Sequence, residues 1–214
     1  MSVKGIIFDN DGTLVDSERV AATLLHQMLS EHNIQLSVAE VLDRYRGVQF
    51  ELFMADIKTQ APGLNVDRFV QSFREASLHM FQAGLNAMPG AVDFVKALKL
   101  PGCVTSNGPP SKIETTLKAA GLYPWFEDRL ISAYDVGSWK PEPGLILAGC
   151  DFLDLPPENC LLVEDSHAGV QAGLAAGTKV VGYGLDTDFS VYVGRPDFYL
   201  ARHYRDLAHL LTRI

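Results

Sequence analysis

The sequence predicts an α/β fold: a doubly wound parallel sheet, interrupted after its first strand by an all-helical insert. Three observations predict it. Short apolar runs alternate with helical stretches over residues 89–182, the rhythm of buried parallel strands joined by crossover helices. Residues 17–88 show helical periodicity alone. A length of 214 residues suits one medium domain carrying a smaller one.

Each element follows in order. Residues 4–8 form an apolar run that ends at Asp9, a buried strand. Val20, Leu24, Leu25, Met28 and Leu29 make a one-sided stripe, so residues 18–32 form a helix that Asp16 and Ser17 are expected to cap. Ser37 and Glu40 make a capping box for a second helix. A third helix runs over 49–59, and a fourth places Phe69, Phe73, Ser77 and Met80 on one face. Beyond Met88-Pro89-Gly90, helices over 91–99, 111–120 and 168–176 alternate with strands over 102–106, 130–132, 160–163 and 179–182. Gly121 and Gly177 close two of those helices. The domain expectation is therefore an α/β core of residues 1–16 and 89–214 with a helical cap of residues 17–88. Gly84 and Gly90 would ease a hinge between them.

Ligands of such sheets bind at the carboxyl ends of the strands. Asp9, Asn10, Asp11, Gly12 and Thr13 follow the first strand, Ser106 and Asn107 end the second, and Glu164, Asp165 and Ser166 follow the fourth. Lys140 lies just before another helix. Clustered carboxylates repel one another, and a hard divalent cation such as Mg²⁺ relieves that while leaving a position for a phosphate oxygen. A lysine supplies a second positive centre, so this set suits phosphoryl transfer.

Phe8-Asp9-Asn10-Asp11-Gly12-Thr13, Val104-Thr105-Ser106-Asn107, Lys140-Pro141 and Val163-Glu164-Asp165-Ser166 resemble, in order, the four motifs of the haloacid dehalogenase-like hydrolases. The insert after the first motif resembles the C1-type cap of that family on its Rossmann-like core. The resemblance implies a role for each residue. Asp9 is the nucleophile that forms an aspartyl-phosphate, and Asp11 is the general acid and base. Ser106 and Asn107 bind phosphate, and Lys140 pairs with both Asp9 and phosphate. Asp9, Asp11 through its main-chain carbonyl, and Asp165 hold Mg²⁺, with Glu164 either a further ligand or a support behind them. Thr13 and Asp16 orient the loop. Arg46, in an Arg46-Gly47 turn between cap helices, is a candidate substrate contact.

The resemblance also divides the activities. Asp11 argues against carbon–halogen cleavage, and Lys58, the sole lysine of the insert, lies too far from the Arg46-Gly47 turn for a phosphonate-type Schiff base. A β-phosphoglucomutase-like reading is an alternative. It is disfavoured because Ala21 and Phe50 stand where those mutases carry a histidine and an arginine. A silent phosphate-binding protein is the alternative of another class, disfavoured because Asp9, Asp11 and Lys140 are all present. The expected activity is Mg²⁺-dependent hydrolysis of a small phosphorylated metabolite, a sugar phosphate or sugar-acid phosphate. Stretches around Arg46, Ser106 and Lys140 resemble the 6-phosphogluconate phosphatase branch.

A net charge of −8 argues against nucleic acid or an anionic membrane as partner. Cys103, Cys150 and Cys160, three thiols without paired spacing, fit a reducing cytoplasm. The N-terminal apolar run is too short for a signal peptide or a membrane span. A monomer is the default expectation.

Overall fold

Six strands form one parallel sheet in the order β3-β2-β1-β4-β5-β6. The structure, a computed structural model, describes residues 2–46 and 48–214. The strands are β1 Gly5–Asp9, β2 Gly102–Ser106, β3 Leu130–Ser132, β4 Cys160–Glu164, β5 Lys179–Tyr183 and β6 Phe198–Ala201. Between β1 and β2 come α1 Ser17–Glu31, α2 Val38–Tyr45, α3 Phe50–Gln60, α4 Val66–Ala83 and α5 Ala91–Ala97. The rest are α6 Pro110–Ala119, α7 Ala133–Val136, α8 Gly144–Phe152, α9 His167–Ala176 and α10 Tyr204–Leu211. The doubly wound sheet is as the sequence predicts.

Side chains alternate across the sheet because a strand turns its pleat every second residue. Ile6, Phe8, Leu161 and Val163 enter one core, which also takes in the apolar faces of α1–α4, α6 and α10. Ile7, Cys103, Leu162 and Val180 enter the other, under α8 and α9. All three cysteines are buried as free thiols on that second side.

Register positions the chemistry. β1 is central, so its neighbours lie on opposite sides, β2 and β4. Asp9 pairs in register with Thr105, and Phe8 with Val163. Ser106 and Glu164 therefore flank the end of β1, at the point where strand order reverses and a crevice opens. Gly173 lets α9 lie close on the sheet, since a Cβ there would meet Leu162 at 2.5 Å and Val180 at 2.7 Å.

The chain crosses into and out of the helical insert through paired backbone. Val15 bridges Ala87, Asp16 N donates to Asn86 O at 3.0 Å, and Met88 N donates to Leu14 O at 2.9 Å. The Ser37–Glu40 capping box forms as predicted. Asp16 and Ser17 do not cap α1. Ser17 Oγ instead donates to the Asp11 carboxylate, a half-buried charged acceptor with a stronger claim on it.

Two elements follow β5 that the sequence reading missed. β6 is a short edge strand with only its ends buried, so it presents no apolar run. α10 is capped by a His203–Asp206 box, in which Asp206 Oδ2 accepts from His203 N at 3.0 Å. That pairing lies outside the Ser/Thr–Glu pattern used to find helix starts. The Tyr204 hydroxyl of α10 donates to Thr13 O at 2.7 Å, tying the C-terminal helix to the loop after β1. Among the described residues no helix is long and apolar enough to cross a membrane.

Candidate active site

The loop after β1 folds back on its own backbone. Leu14 N and Val15 N both donate to Asn10 O, at 2.9 and 3.0 Å, and the buried Asn10 side chain donates to Thr116 Oγ1 of α6 at 3.0 Å. Gly12 has φ +81°, and a Cβ there would meet Asp165 Oδ2 at 2.2 Å. Only glycine lets this turn pass so close to the loop after β4.

Asp9 ends β1 beside Lys140. The Lys140 ammonium is buried and donates to Asp9 Oδ1 at 2.6 Å, Glu164 Oε2 at 2.8 Å and Thr105 O at 3.2 Å. Its three donors thus have three acceptors. Burial alone would lower its pKa, but the Asp9 and Glu164 carboxylates outweigh that and raise it, so it stays charged. Asn107 positions the lysine, with its Oδ1 accepting from Lys140 N at 2.9 Å. Ser106 Oγ accepts from Gly108 N at 3.0 Å and approaches Asp11 Oδ2 at 3.4 Å.

Glu164 uses both oxygens inside the protein. Oε2 holds Lys140, and Oε1 accepts from Asp165 N, Ser166 N and Ser166 Oγ at 3.1, 3.0 and 2.8 Å. Gly169 makes room for it, since a Cβ there would overlap the carboxyl carbon at 1.9 Å. Ser166 also caps α9. Asp9, Glu164 and Asp165 each bring a carboxylate oxygen within 4.8 Å of the others, a group able to hold a metal ion. Among the described residues, none donates a hydrogen bond to Asp9 Oδ2 or to either Asp165 oxygen; Arg46 Nε stands 3.9 Å from Asp165 Oδ2.

The electrostatics fit a cation. Burial and the neighbouring Glu164 push Asp9 well above the usual carboxylate range, against the pull of Lys140. Burial, with Glu18, Glu164 and Asp9 nearby, does the same to Asp165. Hard oxygen donors crowded in a buried site, with too little positive charge among them, suit a magnesium-like ion.

Asp11 behaves differently. Burial would raise its pKa, but the Lys112 ammonium 2.8 Å from Oδ1, with hydrogen bonds from Ser17 and Asn10, lowers it. The sequence reading missed Lys112. It also missed Glu18, which burial raises to about 7 despite its ion pair with Arg46 at 2.6 Å. Both occupy the first turn of a helix that follows a strand-end loop, α6 and α1. Inspecting those turns for charged residues would have found them.

Asp9, Asp11, Ser106, Asn107, Lys140, Glu164 and Asp165 all line one cavity. Its opposite wall comes from the insert: Ala21, Tyr45, Phe50, Phe73, Arg74 and Phe81 are among its residues. The space is about 980 Å³ when its open mouth to solvent is included. Arg46 is not brought into this cavity. Its guanidinium is drawn to Glu18 and faces Asp186 at 3.5 Å and Thr187 at 3.3 Å, in an adjoining depression. Gly47, its partner in the predicted turn, lies outside the described residues.

Comparison with known proteins agrees with this geometry. A model of the haloacid dehalogenase-like hydrolases matches residues 3–177. Over 181 residues the chain is 35% identical to the 6-phosphogluconate phosphatase of Escherichia coli K12, covering 83% of this chain and 81% of that protein. Hexitol phosphatase A of the same organism is 32% identical over 196 residues, covering 88% of this chain and 86% of its own. A haloacid dehalogenase-like protein of unknown function from Agrobacterium tumefaciens superposes with a TM-score of 0.84 at 26% identity, covering 99% of this chain and 98% of that one. With its four motifs gathered at the strand ends around Asp9, the chain belongs to the haloacid dehalogenase-like hydrolase family.

Proposed function

We propose that this protein is a Mg²⁺-dependent phosphatase that hydrolyses a small sugar phosphate or sugar-acid phosphate through an aspartyl-phosphate on Asp9. The observation that carries this reading is Asp9 itself. Its Oδ1 is held by Lys140 at 2.6 Å, its Oδ2 is free of protein donors among the described residues, and the residue lines a cavity together with Ser106 and Asn107. The two curated relatives reported above, both phosphatases of phosphorylated sugar derivatives, support the substrate class.

In this mechanism Asp9 Oδ2 forms the new bond to phosphorus as the bond to the ester oxygen breaks. Ser106 holds a phosphoryl oxygen, and Lys140 turns to another the donor that faces Thr105 O, its longest contact at 3.2 Å. Asp11 takes a proton from the water that attacks phosphorus and frees Asp9, and that proton is the one it gives to the leaving alcohol of the next ester. Lys112 and Ser17 hold Asp11 as a carboxylate, the form needed to take that proton. Asp9, the Asp11 main-chain carbonyl and Asp165 would hold Mg²⁺, which when bound supplies positive charge to the phosphate oxygens. Glu164 is assigned to fixing Lys140 and the loop after β4, because its oxygens are already engaged. Arg46 is assigned to Glu18 and Asp165 rather than to substrate. The helices of residues 17–88 act as a cap moving on the paired crossing at Val15 and Ala87. Ala21 and Phe50 offer the cavity no imidazole or guanidinium, which favours release to water over return of the phosphoryl group to a sugar.

Phosphate released from a panel of sugar, sugar-acid and short-acid phosphates, with Mg²⁺ and with chelator, tests this reading. Turnover of one or more with Mg²⁺ and none with chelator is expected. No turnover of any would refute it. A thermal-shift measurement adds the sign of the pH dependence. Because Asp9 and Asp165 are raised, the metal-free fold keeps protons there that the unfolded chain releases. Its stability therefore falls as pH rises from the ordinary carboxylate range through the raised values. Mg²⁺ competes with those same protons, so its stabilisation grows as pH rises, larger at about pH 8 than at about pH 5.5.

A further inference from the structure

Three cations line the cavity among the described residues: Lys140, Lys112 and Arg74. The first two face carboxylates of the reacting centre, at 2.6 Å from Asp9 and 2.8 Å from Asp11. Arg74 does not. It stands on α4, and it is the one cation the inserted helices bring to the cavity among the described residues. Its ion-pair partner Glu51, on α3, does not line the cavity.

The guanidinium is held in place through one nitrogen. Nη2 donates to Glu51 Oε1 at 3.1 Å and to the Tyr134 hydroxyl at 2.9 Å. Tyr134 in turn donates to the same Glu51 oxygen at 2.9 Å, and its ring lies 5.7 Å from the guanidinium carbon. Tyr134 belongs to α7 of the sheet domain, so the group is pinned from two sides of the cavity. Among the described residues none accepts from Nε or Nη1. A guanidinium carries five N–H donors in a planar fork that matches a carboxylate. A pinned fork loses little side-chain entropy on binding. Phe50 and Phe73 line the same cavity, apolar walls for a carbon chain that strengthen a charge contact by excluding water.

We propose that Arg74 is a specificity-determining residue that receives a carboxylate on the leaving group, making the preferred ester a phosphorylated sugar acid. The inference rests on the phosphatase reading for its substrate pose. The phosphoryl group sits at Asp9 and Lys140, and the acid end reaches across the apolar walls to Nε and Nη1 of Arg74. Glu51 and Tyr134 position the guanidinium and do not touch substrate.

The test compares 6-phosphogluconate with a hexitol 6-phosphate, a pair that shares the phosphate and the six-carbon chain and differs by a carboxylate against a hydroxymethyl group. kcat/KM is measured for wild type, Arg74→Gln and Arg74→Lys. Binding of both compounds to Asp9→Asn protein, with and without Arg74→Gln, is measured by calorimetry, so that recognition is read apart from turnover. The expected preference for the acid is about 30-fold, as for a charge-assisted hydrogen bond at a half-exposed site, and Arg74→Gln erases it mainly through KM. Arg74→Lys keeps part of it. No preference for the acid, or one that survives Arg74→Gln, overturns the inference. Turnover of both esters beside that result leaves the phosphatase reading standing. A binding preference that depends on Arg74, with neither these esters nor any other of the panel turned over, removes that reading and keeps the acid subsite. Circular dichroism checks the fold, which a substitution on the half-exposed face of α4 should leave intact.

Discussion

Replacing Asp9 with asparagine lowers phosphate release by about four orders of magnitude or more, while the protein keeps its fold and still binds phosphate esters. The loss is this large because no other carboxylate can take its place. Asp11 is tied to Lys112 and Ser17, Glu164 has both oxygens engaged, and Asp165 belongs to the neighbouring strand-end loop. The fold survives because the amide has the size of the carboxylate, and Lys140 keeps Glu164 as its counter-charge at 2.8 Å. Removing one buried carboxylate also relieves the repulsion that raises Asp9 and Asp165. The metal-free variant is therefore expected to melt no lower than the wild type. Phosphate release and a thermal melt check both halves. Activity near the wild-type level would show that another group attacks phosphorus.

Replacing Lys140 with methionine has the second large effect, on both stability and rate. Methionine fills much of the same space and removes the charge. Asp9 and Glu164 are then left buried without their shared counter-ion, and losing one partner of a buried pair costs about 3–5 kcal/mol. The sign with pH follows from the carboxylates. Without the ammonium Asp9 is pushed up further, so the loss is fully felt at neutral pH and shrinks on acidification, as that carboxylate takes up a proton. The rate falls by about three orders of magnitude, because the lysine also holds a phosphoryl oxygen in the proposed mechanism. Denaturant melts at two pH values and steady-state rates check this. A melt that does not depend on the substitution would mean that the Asp9–Lys140–Glu164 contact carries little of the fold.

Much of the site was legible because of where its residues stand in the chain. Asp9, Ser106 and Glu164 each end a buried strand, and Asp165 follows one, so a short apolar run points at every one of them. Lys140 was legible through the motif it shares with a family, not through any periodicity of its own. Lys112 does not stand out in the sequence, for a physical reason. It sits in an ordinary amphipathic helix, where a lysine is usually solvated, and only the turn after β2 brings it to 2.8 Å from Asp11. Arg46 shows a limit in the opposite direction. A turn arginine near a cleft suggested a substrate contact, but the sequence does not show that Glu18, the second residue of α1, is buried and waiting for a cation. The same limit explains β6 and α10. A short edge strand and a His–Asp cap take their stability from tertiary contacts such as Tyr204 to Thr13, which no local pattern announces.

The central claim is that Asp9 carries the phosphoryl group between the ester and water. Rapid acid quench within the first turnover of a hydrolysed ester, followed by peptide mass spectrometry, reads it directly. The account predicts one phosphoryl group on the peptide that contains Asp9, chemically labile as an acyl phosphate and missing from Asp9→Asn protein. Turnover with that peptide never phosphorylated at any quench time, in wild type or in a slow Asp11→Asn variant, would contradict it.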